Sequence, residues 1–208
     1  MKYLSAQEQQ QLLKKVRYTK GSERDYVAMA LILNTGLRAR ELCGVTVGDI
    51  RNKSRLYVRP EDGKRGRGRF VTMNVFIQDT LRKWLAHKMA MLQESIEDDA
   101  PLFVTRLKKP LRKRSLQHLV EKWVIASGLT TTRDGVAVAL FSVHSLRHTY
   151  AKRLQERGVA ITTIQKLLGH ASLASTGVYT EASDAELEAA AHALTIGAAR
   201  AEQLSEAL

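Results

Sequence analysis

Apolar residues recur along most of this chain at three- and four-residue spacing, which predicts helices, and alternate with polar ones in one region, which predicts a hairpin. In Leu4-Ser5-Ala6-Gln7-Glu8, Ser5 stands as an N-cap with Glu8 three residues on, the capping-box spacing. Leu12, Leu13 and Val16 continue the stripe, and Tyr18 to Glu23 is a polar loop. Tyr26 to Asn34 is apolar for too long to be an ordinary strand and predicts a buried helix. Asn34-Thr35-Gly36 breaks it, and Arg38 to Cys43 begins a short helix, after which Gly48-Asp49 leads into a β-like region.

Arg55 to Arg59 alternates, as does Phe70 to Val75. The Gly- and cation-rich segment between them makes the pair a β-hairpin with a long positive tip. Ile77 to Met91 is helical by periodicity. An acidic loop, Glu94 to Ala100, ends at Pro101, and Leu102 to Val104 reads as a short strand. Leu116 to Ala126 is helical and Thr130 to Ala139 reads as loop. His144 to Arg157 and Ile161 to Leu168 are two helices parted by Gly158; Ala171 to Gly177 is a connector, and an Ala-rich helix starts at Asp184. The expected class is mainly α with a small antiparallel β-sheet (α+β), with no internal repeat and no clear linker.

Composition narrows the partners. The 208 residues suffice for one substantial core, with 44% hydrophobic and 26% charged residues, and no apolar run reaches the length of a bilayer span. The polar start, Met1 to Gln11, does not read as a signal peptide, and the single Cys43 cannot form an internal disulfide. A cytoplasmic protein is the expectation. Lys and Arg number 33 against 21 Asp and Glu, a formal charge of +12. That excess is carried by two stretches, Arg51 to Arg69 and Arg106 to Lys122, each with a local +6. So concentrated a charge suits a polyanion such as nucleic acid better than a merely solvated face.

Three segments place unusual polar residues beside apolar ones. In Thr35-Gly36-Leu37-Arg38-Ala39-Arg40-Glu41-Leu42, Arg38 and Glu41 have the spacing of an ordinary helix-surface pair. In His144-Ser145-Leu146-Arg147-His148-Thr149, His144 shares a helical face with Arg147 and His148. The third is Leu168-Gly169-His170, with Tyr179 nine residues on. Each His alone could be a packing residue. His144 and His148 also have zinc-ligand spacing, with His170 as a third ligand. However, Ser145 stands where a metalloprotease general base would be, and Arg147 places a permanent cation on that face. A phosphodiester reading uses more of the set. Two guanidiniums and imidazole N–H groups can hold the charge that develops on phosphate oxygens. Arg38, Arg147, His144 and His170 are of those types, Tyr179 supplies a phenol, and Lys64 at the hairpin tip could act as general acid.

Together these segments resemble the catalytic domain of the tyrosine recombinases, the phage-integrase family. Thr35-Gly36-Leu37-Arg38-x-x-Glu41-Leu42 matches the first Arg box, His144-x-Leu146-Arg147-His148-Thr149 the second and Leu168-Gly169-His170 the third, with Tyr179 at the nucleophile's spacing and Gly63-Lys64 in the hairpin. The resemblance implies an integrase catalytic-domain-like fold and a site-specific recombinase. Arg38 and Arg147, helped by His144 and His170, would hold the scissile phosphate. Tyr179 would attack it to give a 3′-phosphotyrosyl link while Lys64 protonates the 5′-oxygen, with neither metal nor other cofactor. Glu41 would orient the Arg38 region; His148 either supports the site or packs the helix. Lys64 is followed by Arg65, a departure from the common Gly-Lys-Gly, and is the only Lys in that turn.

The remaining expectations follow from the same resemblance. Arg65, Arg67 and Arg69 of the hairpin, and Lys108, Lys109, Arg112, Lys113 and Arg114 of the second basic stretch, would grip double-stranded DNA. Integration, excision, inversion and resolution all stay open. So do a type IB topoisomerase-like activity and a DNA-binding regulator of the same fold that has lost cleavage. The match begins almost at Met1, as in short catalytic-domain-only members such as the fimbrial-switch invertases; a piece of a longer chain would look the same. Residues 1–183 would form the catalytic domain. In residues 184–208 an apolar seam through Leu187, Ala190, Leu194, Gly197, Ala201, Leu204 and Leu208 packs either on its own domain or on a neighbouring protomer. The second choice would make a tetramer on paired DNA sites, with accessory DNA-bending proteins a further possible partner.

Overall fold

The most apolar stretch of the sequence becomes the central helix of the molecule. In α2 (Glu23–Thr35), every residue from Val27 to Thr35 is buried. Burying Met29, Leu31, Ile32 and Leu33 completely contributes about 1.5–3 kcal/mol each before entropy is charged against it. The structure, a computed structural model, describes residues 2–60, 68–169 and 184–193.

Around α2 pack α1 (Ala6–Arg17), α5 (Val75–Ala90) and α7 (Val143–Glu156), while α6 (Lys113–Ala126) lies against α1. The expected capping box opens α1: the Glu8 amide donates to Ser5 Oγ at 3.2 Å and the Ser5 amide to Glu8 Oε2 at 2.8 Å. Two short helices, α3 (Ala39–Cys43) and α4 (Val47–Ile50), follow α2, and α8 (Ile161–Leu168) and α9 (Asp184–His192) follow α7. Buried polar contacts tie the layers together. Trp123 Nε1 donates to Asp25 Oδ2 at 2.8 Å, joining α6 to α2. Asn74 caps α5 through the Ile77 amide at 3.0 Å and reaches Asn34 Oδ1 on α2 at 3.0 Å.

The expected hairpin pairs β1 (Arg55–Val58) with β2 (Arg69–Thr72) antiparallel, Arg55 facing Thr72. Two expectations are corrected. Thr130 to Ala139 is a second antiparallel pair, β3 (Thr130–Arg133) and β4 (Val136–Ala139), rather than a loop. Its turn residues Asp134 and Gly135 both have positive φ, 49° and 75°, the geometry a two-residue hairpin turn requires. Leu102 to Val104 forms no strand; single bridges tie Thr46 to Pro101 and Val104 to Pro110, and proline has no N–H with which to extend a ladder. The class remains mainly α with small antiparallel sheets, as expected. Among the described residues, no helix is long and apolar enough to cross a membrane.

The start of the tail seam packs inward. Ala190 is buried in a cluster with Tyr150, Leu154, Ile164, Leu167 and Leu168, and Leu187 lies against it. Leu194 and the later seam positions lie outside the described residues.

Candidate functional site

The site is built where α2 ends. Gly36 adopts the left-handed conformation, φ 64°, and a Cβ there would stand 2.6 Å from Tyr150 Cδ1 and 2.7 Å from Leu168 Cδ2. Only glycine both turns the chain and lets α7 and α8 approach so closely. Two residues on, Arg38 is the N-cap of α3 and Glu41 its third residue, so the Glu41 carboxylate reaches back to the Arg38 amide at 2.7 Å. The Arg-x-x-Glu spacing thus records a helix start, and the pair is no surface pair: the Glu41 side chain is wholly buried.

Three arginines from three elements converge on that carboxylate. Arg38 Nη1 donates to Oε1 at 2.7 Å. Arg69, on β2, donates from Nη1 to Oε1 at 2.7 Å and from Nη2 to Oε2 at 2.9 Å. Arg147, on α7, has Nη1 3.8 Å from Oε2, beyond hydrogen-bond reach. Burial by itself raises the Glu41 pKa, but the hydrogen bonds and charge of Arg69, and then those of Arg38, outweigh it and hold the carboxyl below the usual range.

The two box arginines are also anchored by helix-end carbonyls, which carry partial negative charge. Arg147 donates to Gly36 O from Nη1 and to Leu168 O from Nη2 at 2.6 Å, and Arg38 Nη2 to Gly169 O at 3.2 Å. Burial first, and then the charge of Arg38, lower the Arg147 pKa to about 9 while Glu41 opposes, so it remains a cation at neutral pH. Three guanidiniums against one carboxylate leave a surplus of two positive charges with little freedom to rearrange. Such a cluster is made to receive an anion.

That surplus faces solvent through a groove of about 940 Å³ lined by Arg38, Arg40, Lys113, Gln117, His144 and Arg147. His144 is exposed at its mouth, one turn along α7 from His148, whose ring meets it edge-on with centroids 4.9 Å apart. Burial, then the charges of His144 and Arg147, lower the His148 pKa and favour its neutral form. His148 therefore buttresses His144 from behind. Tyr150, the phenol nearest Arg147 along α7, is fully buried against Gly36 and Leu168, and burial raises its pKa, so it is no accessible nucleophile.

In the second basic stretch Lys108, Lys109, Arg112, Lys113 and Arg114 all face solvent. Arg112 to Arg114 crowd the N-terminus of α6, which has no acidic residue in its first turn. Cations there oppose the helix dipole, an arrangement relieved by an anionic partner. Lys113 also lines the groove, joining this patch to the arginine cluster. Lys108 instead pairs internally, with Leu92 O at 2.9 Å and Glu94 Oε1 at 3.5 Å. Arg69, expected among the DNA-gripping cations, is turned inward onto Glu41. Sequence reading missed Arg40 at the groove, an unassigned position inside the first box, and the Glu41–Arg69 pairing, which no local spacing signals. Lys64, Arg65, Arg67, His170 and Tyr179 lie outside the described residues.

The described residues thus form a mainly α domain with small antiparallel sheets and a groove lined by Arg38, Arg40 and Arg147. The chain belongs to the Phage integrase family, which it matches over residues 2–186. It is 30% identical over 189 residues to the tyrosine recombinase XerC of Caldanaerobacter subterraneus subsp. tengcongensis, covering 90% of this chain and 49% of that protein. It is similar to the crystal structure of XerA recombinase, with TM-score 0.66 and 27% identity over 91% of this chain and 63% of the other. The fold alone is shared with XerH site-specific recombinase in a pre-cleavage complex with its difH substrate. There the TM-score is 0.64 at 20% identity, over 99% of this chain and 54% of the other. The chain spans about half the length of the curated relatives it matches.

Proposed function

We propose that this chain cleaves and rejoins DNA strands as a site-specific tyrosine recombinase. The observation that carries the reading is the buried Glu41 bonded to Arg38 and Arg69 with Arg147 beside it at 3.8 Å, the surplus of positive charge opening on an arginine-lined groove beside His144. In this reading Arg38 and Arg147 receive the scissile phosphate. They are anchored before it arrives, so charge developing in the transition state is met without reorganisation. His144 adds a directional hydrogen bond and His170 a second. Tyr179 attacks phosphorus, its proton passing to solvent, and the P–O bond to the 5′-oxygen breaks as Lys64 protonates that oxygen. A 5′-hydroxyl from another strand reverses the step on the same phosphotyrosine, so bond energy is conserved.

Double-stranded DNA is the partner, gripped through phosphates by Arg112, Lys113 and Arg114 at α6 and by Arg65 and Arg67 of the hairpin. Residues 1–183 act as the catalytic unit. Residues beyond α9 join a neighbouring protomer in a tetramer on paired sites, and the protein works in the cytoplasm on the nucleoid. Removing residues 194–208 then leaves DNA binding intact and abolishes assembly; normal synaptic complexes from the truncated protein would refute that part.

The deciding experiment uses nicked duplexes, drawn from the gene's flanking DNA and from a random pool enriched by binding, that lose a short fragment on cleavage. Incubated with protein and EDTA, they should give a covalent protein–DNA adduct on a denaturing gel, lost in Tyr179→Phe. Salt-sensitive binding without adduct would replace this reading by a DNA-binding regulator. An adduct that survives the substitution would assign the nucleophile elsewhere.

A further inference from the structure

Arg69 lies in a run of hairpin cations, yet its side chain points away from the surface. A carboxylate offers about four acceptor sites. In Glu41, Oε1 accepts from Arg38 Nη1 and Arg69 Nη1, both at 2.7 Å, and Oε2 accepts from the Arg38 amide at 2.7 Å and Arg69 Nη2 at 2.9 Å. All four are taken. Arg147 Nη1 stands at 3.8 Å from Oε2, near enough to feel the charge and without a lone pair to bind. Arg69 also backs the third box: a Cβ on Gly169 would stand 2.9 Å from Arg69 Cδ and Nε, so its side chain lies flat on the residue that precedes His170.

We propose that Arg69 is a positioning residue that saturates Glu41, keeping the Arg147 guanidinium from closing a hydrogen-bonded ion pair with it and so available to the phosphate. The inference rests on the recombinase reading above and adds a residue that touches no DNA. Without Arg69, two acceptor sites on a buried carboxylate open beside Arg147. Arg38 alone leaves that carboxylate half-satisfied, and a buried acceptor short of partners draws in the nearest donor, so Arg147 turns in. The surplus positive charge of the cluster falls from two to one, and the backbone before His170 loses its support.

The test compares wild type, Arg69→Ala, Arg69→Lys, Glu41→Gln and the Arg69→Ala/Glu41→Gln double variant. The single-turnover rate of adduct formation is measured at saturating nicked duplex from the enriched pool, with DNA affinity measured as a function of salt. Arg69→Ala should slow cleavage on the order of 10²-fold, the cost of a small misplacement at a reacting centre. The salt slope should become shallower by no more than about one, the contact that Arg147 gives up, and Arg69→Lys, which fills one acceptor site without the fork, should recover part of the rate. Its effect should shrink severalfold in the Glu41→Gln background. An undiminished effect there, or lost affinity with a slope shallower by about one and a normal saturated rate, would overturn the proposal in favour of a direct phosphate contact.

A second readout, the rise in thermal midpoint caused by inorganic phosphate, requires no cleavage. Wild type should show the rise and Arg69→Ala should not; equal rises would refute the proposal. A wild type that forms no adduct but shows this difference would sink the recombinase reading and leave the role of Arg69 standing. If circular dichroism shows Arg69→Ala unfolded, Arg69→Lys carries the same comparisons.

Discussion

Substituting Gly36 by alanine tests whether the close approach of α2, α7 and α8 builds the site. The penalty has two parts. At φ 64° an L-residue costs about 1–2 kcal/mol. The new Cβ would stand 2.6 Å from Tyr150 Cδ1 and 2.7 Å from Leu168 Cδ2, both buried, so the ring or the helix must shift. Overpacking of that kind costs about 1–3 kcal/mol more. Gly158 supplies the control: its φ is 78°, but nothing lies within 4 Å of the Cβ position. Gly158→Ala therefore carries the strain alone, and any unfolded-state gain from losing a glycine is common to both and cancels. The assay is urea unfolding followed by tryptophan fluorescence, since Trp84 and Trp123 are both buried. Gly36→Ala should be destabilised by about 2–5 kcal/mol and Gly158→Ala by about 1–2 kcal/mol. It should also lose adduct formation, because Gly36 O anchors Arg147 and the turn leads into Arg38. Equal penalties, within about 0.5 kcal/mol, would show that the packing around Gly36 has slack and that its tightness does not hold the site.

Three further outcomes are expected. Lys113→Gln should weaken DNA binding across sequences and make the salt dependence shallower by about one, read by fluorescence anisotropy at several salt concentrations. Glu41 has a depressed pKa, so its stabilisation is complete above the ordinary carboxylate value near about 4.3 and is lost as pH falls through the lower folded value. The stability difference between wild type and Glu41→Gln should accordingly be constant above about pH 5 and shrink as pH falls below the ordinary carboxylate value. Trp123→Phe removes the donor to Asp25 Oδ2 and leaves a buried carboxylate oxygen short of a partner, costing about 1–3 kcal/mol by urea unfolding, whereas Lys122→Gln beside it should cost little.

Local grammar was enough to read much of this molecule. The Ser5–Glu8 capping box, the buried run of α2, the alternation that marks β1 and β2 and the helix carrying His144 and Arg147 all follow from relations between residues at most a few positions apart. The reason is geometric: helix and strand periods place such residues on one face whatever the rest of the chain does. The second hairpin was legible too, since Asp134-Gly135 between Thr- and Val-bearing segments is a turn signal, but its short strands are largely exposed and show no apolar alternation to mark them. Contacts between distant residues had no such local record. Arg69 meets Glu41 across 28 positions, and Arg147 reaches Gly36 across 111. In the sequence Arg69 is one more cation in a basic run, and only the tertiary structure, which brings it to Glu41, turns it inward. Coulomb attraction acts through space and is strong only where packing has excluded water. Which arginines face the groove, and which one holds the carboxylate between them, was decided by the tertiary structure alone.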